Sequence, residues 1–220
     1  VALDDKGFVI VDEHQRSSVP HVCALGDICS PWMLKHVANA EARTVQHNLL
    51  HPDDLISTDH RFVPHTVFSQ PQVASVGMTE QDLRNCGARY VAFTQQYGDT
   101  AYGWAMDDHE HFCKLLADAD TGQLMGAHII GPEACSLLQP LVQALSFGLD
   151  TTRLALGQYW VHPGLPEVVE NALLEPVQQA VALGLRVFQG DQQAAAARRQ
   201  ARIQLARVAP AHRWRQRDQR

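Results

Sequence analysis

The sequence has 220 residues, of which 45% are hydrophobic, and a formal net charge of −6. That is enough apolar content for a sizeable core in one or two domains, and no apolar run reaches the ~20 residues of a membrane-spanning helix. Residues 176–220 hold nine arginines against Asp191 and Asp218, or +7, which leaves −6 − 7 = −13 on the remainder; an acidic body argues against nucleic acid as its ligand.

No signal peptide opens the chain, and it starts at Val1 in a strand-like pattern, which reads as a piece of a longer protein. The five cysteines, Cys23, Cys29, Cys86, Cys113 and Cys135, are odd in number and follow no redox or zinc spacing. Free thiols in a reducing cytoplasm are the expected state.

Gly7–Asp12 reads as a short strand, and His21–Asp27 as a second one apolar enough for burial on both faces. The second ends in Gly26-Asp27. A glycine there lets backbone and ligand approach closely, and an aspartate at a buried strand end is well placed to accept from ligand hydroxyls. Met33–Leu50 is a predicted helix with Val37, Ala38, Ala42, Val45, Leu49 and Leu50 at helical steps. Its free N–H groups can contact an anion.

His51-Pro-Asp-Asp54 breaks that helix and opens a linker to residue 62. Strands follow at Val63–Ser69 and Gln72–Gly77, then a short helix with Thr79 as N-cap and Asp82 three residues on. Tyr90–Gln96 is a strand, and Phe112–Asp118 with Gln123–Ile130 forms a hairpin around Gly122. Glu133–Phe147 is an apolar helix interrupted at Pro140, and Thr151–Leu156 is a shorter one. Trp32, Trp104 and Trp160 read as packing residues. The order predicts α+β: mostly antiparallel strands with helices on one side. The tail after residue 175, rich in Ala, Gln and Arg, is expected to be a surface helix or disordered.

The stretch His162-Pro-Gly-Leu-Pro-Glu167 is the candidate for chemistry. A residue before proline is extended or in a turn, and a carboxylate suits a helix start. A turn that folds Glu167 onto the imidazole fixes its tautomer and raises the basicity of His162, giving a general acid/base near neutral pH. The plainer reading is a turn histidine beside a helix-start glutamate with no chemistry.

Four stretches together resemble one family: Val19–Asp27, Thr66–Gly77, Met125–Gly131 and His162–Glu167. In this order and spacing the chain resembles the C-terminal portion of the flavoprotein pyridine nucleotide-disulfide oxidoreductases. Leu34–Arg43 and Trp160–Leu174 look most like the branch that reduces mycothiol disulfide with FAD and NADPH, the mycothione reductases. The resemblance implies an α/β piece of an FAD-binding domain over residues 1–50, a linker over 51–62, and an α+β interface domain over 63–175. It implies a homodimer, with Asp27 bonding the ribityl chain of FAD after Gly26. Leu34 and Lys35 would bring backbone N–H groups to the flavin ring. His162, held by Glu167, would serve the partner subunit's active site, taking the proton of the attacking thiol and returning one to the leaving thiol. The family's cysteine pair and G-x-G-x-x-G fingerprints do not occur in these residues, so the redox disulfide and the NADPH site would lie elsewhere and the isolated chain would be inactive. A dihydrolipoamide dehydrogenase and a non-catalytic dimerisation module are the alternatives.

Overall fold

The computed structural model describes residues 1–182, with side-chain environments up to residue 175. Alternation of apolar and polar side chains organises its central element. Strands β1 (His65–Val67), β2 (Gln72–Gly77), β3 (Tyr90–Gln96), β4 (Phe112–Asp118) and β5 (Leu124–Gly131) pair antiparallel in the order β1-β2-β5-β4-β3. The register sets Ala74 against Ile129, Cys113 against Ile129, and Leu115 against both Ala127 and Phe93. All of these are buried, because side chains two apart share a face of a pleated sheet.

Two helices cover that face. The helix Ala134–Phe147 contributes Leu137, Leu138, Leu141 and Leu145, and the helix Pro166–Ala182 contributes Val168, Val169, Ala172 and Leu173. The expected break at Pro140 does not occur; the helix runs through it. A proline costs a helix interior about 3 kcal/mol, and burial of leucines on both sides of it offsets that loss. The helix ends where expected, at Gly148 in the left-handed region with φ 66°.

The expectation of helices on one side is also corrected. Lys114 and Leu116 alternate with Leu115 and so point to the other face. There Glu80, at the start of the helix Glu80–Asn85, bonds Lys114 and accepts from the Tyr90 hydroxyl at 2.9 Å. Leu83 of that helix is fully buried. Its start carries the anticipated capping box. The Asp82 N–H donates to Thr79 Oγ1 at 3.2 Å, and the Thr79 N–H donates to Asp82 Oδ2 at 3.1 Å. Asp82→Ala removes one half of this exchange and should cost about 1 kcal/mol. Thermal unfolding should show the midpoint falling by roughly 2–4 °C; an unchanged midpoint would mean that solvent caps the helix equally well.

The first fifty residues differ most from expectation. Neither Gly7–Asp12 nor His21–Asp27 forms a strand. Isolated bridges join Leu3 to Val9, Val11 to Ser17 and Arg16 to Cys23, and Gly26–Ile28 is a single 3₁₀ turn. No strand runs beside these segments among the described residues to extend a ladder, and Ile10 and Val22 stay 50% and 40% exposed. Helix Lys35–Leu50 begins two residues late, since Met33 has φ 51° and Leu34 is extended. Its inner face is Val37, Glu41 and Thr44, while Leu49 and Leu50 face solvent. The segment after it runs back along the helix. Asn48 bonds both backbone groups of Ile56, and Thr58 bonds Thr44.

The helices in chain order are thus α1 (Lys35–Leu50), α2 (Glu80–Asn85), α3 (Ala101–Ala105), α4 (Ala134–Phe147), α5 (Thr151–Leu156) and α6 (Pro166–Ala182). None of them is long and apolar enough to cross a membrane. α3 was not anticipated, because Gly98 and Gly103 dilute its helical signal. Gly103 is needed there: a Cβ at that position would lie 1.8 Å from the Tyr97 carbonyl oxygen. Of the tail after residue 175, the backbone is helical to Ala182; the remainder lies outside the described residues.

Candidate functional site

The chain reaches His162 from α5 by a short exposed run. The Trp160 indole N–H donates to the Ala155 carbonyl at 2.9 Å and its ring packs against the core, which anchors the run. Trp104 departs from the packing role expected of it and is 77% exposed. His162-Pro163 is a cis peptide. The turn that follows places Glu167 in the first turn of α6, and Val168 and Val169 beside it are fully buried.

Glu167 then does what the spacing suggested. Its Oε1 lies 2.7 Å from His162 Nδ1, and its Oε2 accepts from the Gly164 N–H at 3.2 Å. The bond from His162, ahead of the opposing effect of burial, holds the Glu167 carboxyl below its ordinary range. An ionised carboxylate can only accept. Nδ1 therefore carries the proton, and Nε2 is left as the basic nitrogen. The imidazole itself is 66% exposed, so Nε2 is open to a reactant from outside this chain. On α6, Glu170 is pushed the other way, upward, first by burial and then by the charge of Glu167.

The second group of site residues lies at the start of α1. Gly26 has φ 73°, and a Cβ there would come within 3.2 Å of Ala38 Cβ, so the turn sits directly on α1. Asp27 is exposed beyond it. Leu34 precedes α1 in extended conformation, and its carbonyl accepts from the Val37 and Ala38 N–H groups. The N–H groups of Lys35 and His36 come before the first intrahelical bond, and the Lys35 ammonium is turned aside to Asn39 Oδ1 at 2.6 Å. The arrangement leaves an accessible acceptor at Asp27 and open backbone donors at a helix start. Both suit a polyhydroxylated, anionic dinucleotide such as FAD. No hydrogen bond or ion pair joins this group to His162 and Glu167 among the described residues.

One residue of the site was missed. Glu41, 1% exposed, accepts from the Gly26 N–H at 2.6 Å and meets His60 Nε2 at 3.0 Å. A carboxylate four residues after Val37, on the helix face that turns inward, was the available signal.

Residues 63–173 match the family model described as the pyridine nucleotide-disulphide oxidoreductase dimerisation domain. The chain is 56% identical over 174 residues to a mycothione reductase of Mycobacterium tuberculosis, covering 77% of this chain and 38% of that protein. It is 35% identical over 171 residues to a dihydrolipoyl dehydrogenase of the same species, covering 78% and 37%. The fold is shared with LpdA of Mycobacterium tuberculosis, with a TM-score of 0.72 at 21% identity over 80% of this chain and 38% of that one. It is shared equally with the HOCl-induced flavoprotein disulfide reductase RclA of Escherichia coli, with a TM-score of 0.72 at 24% identity over 79% and 40%. The chain spans less than two fifths of the length of the curated relatives named here. With the dimerisation model matching half of its residues and the oxidoreductases matching in fold, the chain belongs to the pyridine nucleotide-disulphide oxidoreductase family.

Proposed function

We propose that this chain is the C-terminal part of a homodimeric, cytoplasmic disulfide reductase that uses FAD and NADPH and acts on mycothiol disulfide. The observation that carries the reading is the 2.7 Å contact between His162 Nδ1 and Glu167 in a site that leaves Nε2 exposed. In disulfide reduction a thiolate attacks one sulfur and the other sulfur leaves as a thiolate. His162 Nε2 takes the proton of the attacking thiol, which makes it a nucleophile, and the imidazolium then donates that proton to the departing sulfur. Glu167 stabilises the imidazolium between the two steps. FAD, when bound, would pass electrons from NADPH to the redox disulfide. Gly26 and Asp27 would meet its ribityl hydroxyls, and the backbone at Leu34 and Lys35 its ring. The preference for mycothiol disulfide over lipoamide rests on the 56% identity to a mycothione reductase against 35% to a dihydrolipoyl dehydrogenase. Turnover of the two disulfides by the full-length protein tests it; faster reduction of lipoamide would replace this substrate with that one.

The homodimer reading has its own support. Leu156, Tyr159 and Val161, just before His162, are all more than half exposed, as are Phe147 at the end of α4 and Trp104. A monomer rarely leaves so much apolar surface wet. Sedimentation should therefore give twice the 24.4 kDa chain mass; a clean monomer at high concentration would count against the dimer.

For the flavin, Asp27→Ala should lower the FAD content of the full-length protein while leaving the fold intact. Losing a hydrogen bond from a ligand hydroxyl to a charged acceptor weakens binding by roughly 1.5–3 kcal/mol. Flavin absorbance after gel filtration measures this, and an unchanged content would remove Asp27 from the site.

A further inference from the structure

Carboxylates rarely leave water unless donors satisfy them. Glu41 is buried on the inner face of α1, and the two groups that meet its carboxylate come from two separate segments. The Gly26 N–H reaches Oε2 from the turn that presents Asp27. His60 Nε2 reaches Oε1 from the segment that leads into β1 and the dimerisation domain. α1 needs neither contact for its own hydrogen bonds. The only other buried polar group on this face, Thr44, faces Ala40 and Thr58 instead.

The neighbouring groups take no part in the clamp. Cys29 sits against the same turn, its thiol 3.6 Å from the Gly26 carbonyl oxygen. Burial first, and the charge of Glu41 second, push that thiol up to about 11, so it stays neutral. Ala38 lies beneath Gly26, where a Cβ on the glycine would come within 3.2 Å of it.

We propose that Glu41 is a positioning residue for the flavin: it acts through the Gly26 backbone to fix Asp27, and it ties that position to the seating of His60 and the segment ahead of β1. The proposal rests on the reading of Gly26-Asp27 as a flavin contact. Flavin affinity then depends on two residues that never touch the flavin.

The experiment is an FAD titration of the full-length apoprotein, followed by flavin fluorescence and absorbance, for wild type, Glu41→Ala, Glu41→Gln and His60→Ala. Glu41→Ala should weaken FAD binding at least tenfold and shift the flavin absorbance band. Glu41→Gln should stay within roughly threefold of wild type, since its amide oxygen still accepts from the Gly26 N–H. His60→Ala should fall between the two. If Glu41→Ala does not fold, His60→Ala carries the decision. A lower melting temperature with wild-type FAD affinity and spectrum in Glu41→Ala or His60→Ala would overturn the proposal and leave Glu41 a structural residue. A wild-type protein that binds no flavin would overturn the flavin reading itself, and this proposal with it.

Discussion

His162→Ala is expected to slow disulfide reduction by 10²–10⁴-fold in the full-length protein, the usual contribution of a general acid/base, while flavin reduction by NADPH keeps its rate. The asymmetry follows from where the imidazole acts. In the proposed role Nε2 handles protons on sulfur, and hydride transfer from NADPH would involve no proton of that kind. Stopped-flow kinetics separates the two half-reactions. Equal slowing of both would show that His162 shapes the site without serving as acid or base. Glu167→Ala should cost less, since the imidazole keeps its place in the turn and loses only its orienting partner. The pair also has a definite pH signature. The folded carboxyl of Glu167 is depressed. Its contribution to stability is therefore present above the ordinary carboxylate value and lost as pH falls through the depressed one. Activity at neutral pH should not be limited by Glu167.

Gly126→Ala should be among the most damaging single-methyl changes to the fold. Gly126 in β5 lies opposite Gly77 of β2, where the chain leaves the strand towards α2. A Cβ on Gly126 would come within 2.0 Å of the Met78 carbonyl oxygen, and one on Gly77 within 2.4 Å of the Met125 carbonyl oxygen. The obstacle in each case is backbone, and Met78 is fixed by its own N–H bond to Met125 at 2.9 Å. The strand pair has to open, at a cost of about 3 kcal/mol or more. In thermal denaturation that is a fall of roughly 6–12 °C. Gly87→Ala is the control: nothing lies within 4 Å of its Cβ position, although φ is 66°. It should lose about 1 kcal/mol from backbone strain alone. A loss at Gly126 no greater than at Gly87 would mean that the strands part freely.

What the sequence made legible were features whose causes are local. The capping box at Thr79 and Asp82 and the fold-back of Glu167 onto His162 each depend on residues no more than five positions apart. What it hid depends on distant neighbours. The apolar runs near Val9 and Val22 read as strands, yet a strand requires a partner alongside, and only isolated bridges form. Pro140 read as a break because its cost is local, whereas the leucines that offset it pack against strands far away in sequence. Glu41 went unnoticed for the same reason: His60 and Gly26, which justify its burial, are 19 and 15 residues away. Glycine content masked α3, a helix of only five residues.

The carboxylate that orients His162 is followed directly by Val168 and Val169, both wholly inside the core beneath the sheet. Glu167 therefore starts from a rigid foundation, and its rotational freedom is already spent when the protein folds. His162 itself sits in the exposed bend before α6, so a partner carboxylate held by the core limits the orientations the imidazole can sample. In the proposed role, packing under α6 would then act on rate as well as on stability. Enlarging the space under Val168 or Val169 would be felt at the imidazole as a wider spread of orientations, and turnover would drop before the protein began to unfold.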